Sequence, residues 1–265
     1  MSTERITTLR QQRDLSQIIE AAFSLYFQNF WPLFRIAAVL IPFSIVGAMI
    51  TGLVELPEGP LENEDFFPAF WKAMAVIIPF VLLAVMVQWL ALIAVVAALA
   101  DLEAGQPVQF SRAYGVVFNR LWILLGASLR AAFHVFLFYI TIIGIPWAIQ
   151  RGVRWLFIYP AVILDGTSAR ASLSYSADAV KGRWWRTLGI WIVIVIIATV
   201  PSSILSALFG LAPPLVSGTL GGLVSAALIP FWAIALTLLY LDLNARRETD
   251  PVELQGGFSP ALVER

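Results

Sequence analysis

The chain has 265 residues, of which 60% are hydrophobic and only 13% charged, with 17 Lys plus Arg against 17 Asp plus Glu. Soluble domains carry about 25% charged residues, so lipid must be the solvent for much of this apolar excess. Zero net charge argues against nucleic acid as a bulk partner, and the absence of cysteine removes disulfides, thiolate ligands and thiol nucleophiles.

Residues 1–13 are polar and lack the basic-then-apolar pattern of a signal peptide, so this segment is expected to stay on the mature protein. Asp14 reads as an N-cap, with Gln17 completing a variant capping box. Leu15, Ile18, Ile19, Ala22, Phe23, Tyr26, Phe27 and Phe30 then form a wide apolar helix face, opposite Ser16, Gln17, Glu20, Ser24 and Gln28. Such a helix lies along a membrane surface.

Six spans are expected, at about 31–53, 73–99, 121–143, 146–164, 187–209 and 219–241, each of a length suited to a hydrocarbon layer of about 30 Å. An acidic loop with Pro and Gly follows the first. Gly105-Gln106-Pro107 turns the chain after the second, and a short helix capped by Ser111 leads into the third. Between spans four and five, Asp165–Arg186 reads as a surface helix. Ala169, Leu173, Ala177 and Val180 take its apolar face, Arg170, Ser174, Asp178 and Lys181 the other, and Gly182 its C-cap. Residues 14–248 thus form one all-α, polytopic membrane domain with three cytoplasmic amphipathic helices, followed by a polar, flexible tail at 249–265. Arg151 and Arg154 interrupt span four; outside the membrane they would leave it too short to cross. Lys and Arg concentrate in the N-terminus, the 101–120 and 165–186 segments and the C-terminus, which predicts both termini to be cytoplasmic.

The three surface helices run into similar elbows: FQNFWPLF (27–34), FNRLWILL (118–125) and KGRWWRTL (181–188). Trp31, Trp122 and Trp185 fall at the fifth position of each, and with Trp184 they read as interfacial anchors, since an amphipathic ring favours the headgroup level.

Chemistry is sparse. Asp165-Gly166 and Ala169-Arg170 match the start of the CDP-alcohol phosphotransferase signature. That reaction needs several aspartates to hold two metals, and the other ligand positions are Val162, Arg183 and Thr187. The simpler reading is that Asp165 ends a span and Ser168 caps the next helix. His134 is the single histidine, and no metal or hydrolase motif accompanies it. No catalytic residue, metal ligand or cofactor is assigned. The remaining feature is basic charge at membrane depth. Arg130 and His134 share a face of span three, with Arg130 about 13 Å from its start, and Arg151 and Arg154 enter from span four. No Asp or Glu lies within the expected spans. An intramembrane arginine costs at least about 2.5 kcal/mol on insertion scales. Two explanations stay open. In one, the four residues form a site for an anionic group, most simply a lipid phosphate. Alternatively the arginines snorkel, or bond Gln88, Gln150 and backbone carbonyls.

The segments LSQIIEAAFSLYFQNFWPLF, LEAGQPVQFSRAYG, YPAVILDGTSARASLSYSADAVKGRWWRTLG and LTLLYLDLNARRE, over roughly residues 14–248, together resemble the membrane domain attached to some glycerophosphoryl diester phosphodiesterases, and its free-standing relatives in bacterial inner membranes. The resemblance implies fold and location. It does not transfer phosphodiesterase activity, which in such fusions belongs to a separate soluble barrel. Three readings remain: a non-enzymatic inner-membrane protein that binds phospholipid through Arg130, His134, Arg151 and Arg154; a scaffold or accessory subunit that docks a cytoplasmic protein; and a small-solute transporter.

Overall fold

A computed structural model describes residues 9–54, 65–139 and 144–249. The acidic loop, the end of the expected third span and the C-terminal tail from residue 250 lie outside these residues. Eleven α-helices and no strand occur among the described residues: α1 (Leu15–Gln28), α2 (Phe30–Ala37), α3 (Leu40–Leu53), α4 (Phe66–Glu103), α5 (Phe110–Asn119), α6 (Leu121–Tyr139), α7 (Ile145–Arg154), α8 (Ile158–Leu164), α9 (Ala171–Val180), α10 (Trp184–Phe209) and α11 (Pro214–Glu248). The chain is an all-α polytopic membrane protein. By length and composition α4, α6, α10 and α11 can each cross a bilayer, and α2 with α3 makes a fifth span if the pair, bent by 43°, is counted as one.

Two expected spans therefore change. The first is bent at Ala38–Val39. The fourth is not one helix, because α7 and α8 are separated at Trp155–Phe157. Ser176 of α9 explains why the second break is stable. Its hydroxyl accepts the Phe157 N–H (3.1 Å) and donates to the Arg154 carbonyl (2.7 Å). One side chain thus satisfies the backbone groups that ending a helix leaves open. α7 is strongly amphipathic: it buries Ala148 and Val153 and exposes Trp147 and Ile149. It has the character of an interfacial helix.

The same serine corrects the expected face of α9. Ser172, Ser176, Ala179 and Val180 are buried, a set rotated by about one residue from Ala169, Leu173, Ala177 and Val180. Periodicity favoured the apolar set, but the demand for hydrogen bonds at the α7–α8 break turned the serines inward. The expected Ser111 cap also changes: α5 begins at Phe110 with Gln109 at its N-cap, so Ser111 is already helical. Other local signals hold. The Asp14 N–H donates to Gln17 Oε1 (3.0 Å) at the start of α1. Gly105 and Gly182 take positive φ at 70° and 76°, the region open to glycine at turns and helix ends.

α11 is the central helix. It packs on α1, α2, α3, α4, α9 and α10, and it is buried almost continuously from Ile229 to Asn244. The C-terminal half of α4, Ile93–Leu99, is buried beside it. The core therefore sits towards one end of the bundle. At the other end α3 crosses α11 closely through Gly218 and Gly222. A Cβ on Gly218 would lie 2.8 Å from Ser44 O, and one on Gly222 2.8 Å from Ile41 Cα. Small residues four apart let two membrane helices approach this way. By contrast α6, α10 and the first half of α4 expose apolar rows such as Ile192, Ile196, Val200 and Ile204, which suit contact with acyl chains.

The three elbows share a backbone. Asn29, Arg120 and Arg183 occupy the third position of each elbow sequence and adopt φ/ψ of −118°/22°, −108°/10° and −127°/23°. Two residues later Trp31, Trp122 and Trp185 are 65%, 83% and 79% exposed. A short helix, a non-helical break (one residue at Asn29 and Arg120, three at Lys181–Arg183) and an outward tryptophan thus occur three times among the described residues.

Candidate functional site

Two groups of arginines stand out, and they differ in what neutralises them. The first lies at the closed end of the bundle. Asp242, six residues before the end of α11, is 0% exposed. Its Oδ2 accepts from Arg186 at 2.6 Å, and its Oδ1 accepts from Arg246 at 2.9 Å and from the Arg13 N–H at 2.6 Å. Arg186 and Arg246 also both donate to the Arg13 carbonyl, at 2.6 and 2.9 Å. One buried carboxylate thereby ties the N-terminal segment to the start of α10 and the end of α11. Beside it, Arg10 pairs with Glu103 (2.7 Å) and Asp165 (3.6 Å), and Asp165 accepts from the Tyr240 hydroxyl. The Arg10 guanidinium is held above its usual range, chiefly by its hydrogen bond to Glu103. Burial pushes Arg13 down, against the opposing pull of Asp242. The segments whose basic residues predicted a common membrane face thus meet at one end of the molecule.

This network was missed from the sequence. Placing the end of span six at Leu241 put Asp242 just outside it, whereas the helix runs on to Glu248. A usable signal was present: Asp242 and Arg246 are four apart, a spacing that brings acid and base together on a helix.

The second group holds the residues singled out from the sequence. Arg130, His134, Arg151 and Arg154 make no ion pair with a carboxylate among the described residues. His134 donates from Nδ1 to the Arg130 carbonyl at 2.7 Å, and its ring meets the edge of Trp155 at 5.6 Å. The Arg151 guanidinium lies over the same indole, 5.5 Å from its centroid. Trp155 therefore joins α6 to α7, bringing His134 and Arg151 to one ring, with Arg130 one turn before His134. The Arg154 backbone is fixed by Ser176. Arg130 and His134 are exposed, and Arg151 and Arg154 half-buried. A planar guanidinium stacked on indole keeps its edge donors free for an oxyanion.

A groove of ≈ 390 Å³ flanks α7, lined by Pro146, Trp147, Gln150, Trp184 and Trp185. The Trp184 indole N–H donates to the Gln150 carbonyl at 3.4 Å, and the Trp184 and Trp185 rings meet edge to face at 4.6 Å. Two expected anchors, Trp184 and Trp185, thus form an aromatic wall beside the helix that carries Arg151 and Arg154. Trp31 and Trp122 are not part of this groove.

No group of three or more His, Cys, Asp or Glu residues that could hold a metal occurs among the described residues. Residues 130–242 match the family model described as the membrane domain of glycerophosphoryl diester phosphodiesterase. The matched segment is shorter than the resemblance over roughly 14–248 suggested, and it holds all four basic residues and ends on Asp242. Neither a curated protein nor a solved structure matches the chain. Over residues 130–242, from α6 to the buried aspartate of α11, the chain is similar to the membrane domain of glycerophosphoryl diester phosphodiesterase.

Proposed function

We propose that this membrane protein is a non-catalytic component of the bacterial inner membrane, with both termini cytoplasmic, that binds the headgroup of anionic phospholipid at Arg130, His134, Arg151 and Arg154. The observation that carries the reading is the contrast in neutralisation. Arg10, Arg112, Arg186 and Arg246 each have a carboxylate within 4 Å, while Arg130, Arg151 and Arg154 have none among the described residues. Exposed cations at the headgroup level attract anionic lipid, and a phosphate accepts two guanidinium donors at once. The tryptophan-lined groove beside α7 suits the level at which headgroups lie. The test is the phospholipid that copurifies in mild detergent, quantified by mass spectrometry. The native chain is expected to retain phosphatidylglycerol or cardiolipin over zwitterionic lipid, and Arg130→Leu/Arg151→Leu/Arg154→Leu to lose that preference. An unchanged preference would overturn the reading. Sidedness can be read separately: because the native chain has no cysteine, single cysteines at either terminus should label only from the cytoplasmic side.

A further inference from the structure

A second cavity lies well away from the cations. It occupies ≈ 320 Å³ between α3, α4 and α11 beside the Gly218–Gly222 crossing, lined by Phe43, Ser44, Gly47, Phe80, Gln88 and Ser225 among others, with no charged residue in its wall. Gln88 lies fifteen residues before Glu103, about 22 Å along α4 from the charged end, within hydrocarbon depth. Polar groups at that depth need internal partners, and several hydroxyls on α3, α10 and α11 bond the carbonyl one turn back. Thr51 bonds Gly47 O (3.1 Å), Thr199 bonds Val195 O (2.7 Å), Ser203 bonds Thr199 O (2.9 Å) and Thr219 bonds Leu215 O (2.7 Å). Ser44, Gln88 and Ser225 make no hydrogen bond among the described residues. These three side chains come from three different helices and line one cavity.

We infer that this cavity holds the uncharged glycerol and ester portion of a neutral acylglycerol, with its acyl chains lying along the exposed apolar faces of α3 and α4. Gln88 supplies both donors and an acceptor, and each serine supplies one donor and acceptor sites, a set that matches a free hydroxyl and ester carbonyls. A phosphate would find no cation here, and removing it from water without one costs several kcal/mol. The volume falls in the range of small-molecule sites. The inference rests on the membrane assignment alone and is independent of the anionic site proposed above.

The test uses the full chain in phosphatidylcholine vesicles with a diazirine-bearing diacylglycerol, and the crosslinked peptides are mapped by mass spectrometry. Label is expected on α3, α4 and α11 around the cavity. It should fall about tenfold in Gln88→Leu/Ser44→Ala/Ser225→Ala, the equivalent of one to two net hydrogen bonds. Gln88→Leu alone keeps an exposed apolar residue in lipid, so it provides a folded variant with a smaller drop. Arg151→Leu should leave the label unchanged, which separates this site from the basic one. Label that survives the triple substitution, equal label from a phosphatidic acid probe, or crosslinks joining two copies of the chain at Gln88 would each overturn the inference.

Discussion

The Asp242 network and the Trp155 group both gather arginines at or near the membrane, but their surroundings differ. Around Asp242 every polar atom of the carboxylate is used, and the partners come from three separated parts of the chain: Arg13, Arg186 and Arg246. Around Trp155 the Arg151 guanidinium lies over the ring and His134 bonds the Arg130 carbonyl, with no carboxylate at hand among the described residues. Internal neutralisation makes a lock that holds the fold. Incomplete neutralisation, on an exposed face, leaves charge for something outside the chain. Arginine content alone does not distinguish these outcomes, whereas the presence of a buried acid does.

The largest effect should come from breaking the lock. Asp242→Ala removes the acceptor for two guanidinium groups and a backbone N–H. Breaking a buried ion pair costs about 3–5 kcal/mol; the low end is expected because Arg186 and Arg246 keep some contact with solvent. Thermal unfolding in bicelles, followed by circular dichroism, measures the loss. Next is the helix crossing that sets α11 in place. Gly222→Leu forces a side chain against the α3 backbone at Ile41, with an expected loss of about 1–3 kcal/mol from overpacking in the same assay. Ser176→Ala connects the two regions, because it unpairs Phe157 N–H and Arg154 O beside Trp155. A loss of about 1–3 kcal/mol is expected for an unsatisfied buried group, together with faster amide exchange at residues 155–158.

At the Trp155 group the stability effect should be small. Arg130→Leu, Arg151→Leu and Arg154→Leu are each expected to stay within about 0.5 kcal/mol of the native chain, as surface substitutions do; a larger loss would make this group a second lock. The smallest effect concerns Tyr114 on α5, whose hydroxyl donates to the Ile36 carbonyl at 3.0 Å. Burial pushes its phenol up from the ordinary 10.0 to about 12. A raised value favours the neutral form in the folded chain, so the α5–α2 contact contributes fully below pH 10 and is lost as pH rises towards 12. Tyr114→Phe should remove that alkaline component from a pH series of melting curves.

The sequence was informative wherever a local rule operates alone. Apolar length marked α4, α10 and α11. Asp14 with Gln17 marked the start of α1, and Gly105 and Gly182 marked turns. The elbow motif at Asn29, Arg120 and Arg183 was visible as a pattern, and its common backbone conformation explains the recurring Trp two residues on. What stayed hidden depended on distant partners. Nothing near Trp155 in the chain announces that Ser176 will replace helical hydrogen bonds there, so residues 146–164 read as one span. Asp242 gave no signal of burial because the residues that bury it, Arg13 and Arg186, lie 229 and 56 positions away. Of the four basic residues, spacing could pair Arg130 with His134. Only the fold supplies Trp155 as the ring that Arg151 shares with His134.

The most direct test of the difference between the two arginine groups is to count bound anionic phospholipid on two variants side by side. Native mass spectrometry of detergent-released Asp242→Ala and of Arg130→Leu/Arg151→Leu/Arg154→Leu, each confirmed as helical, provides the count. The account predicts that the aspartate variant, although less stable, keeps the native complement of anionic lipid, while the triple variant melts like the native chain and loses it. Equal retention by both, or loss from the aspartate variant alone, would contradict it.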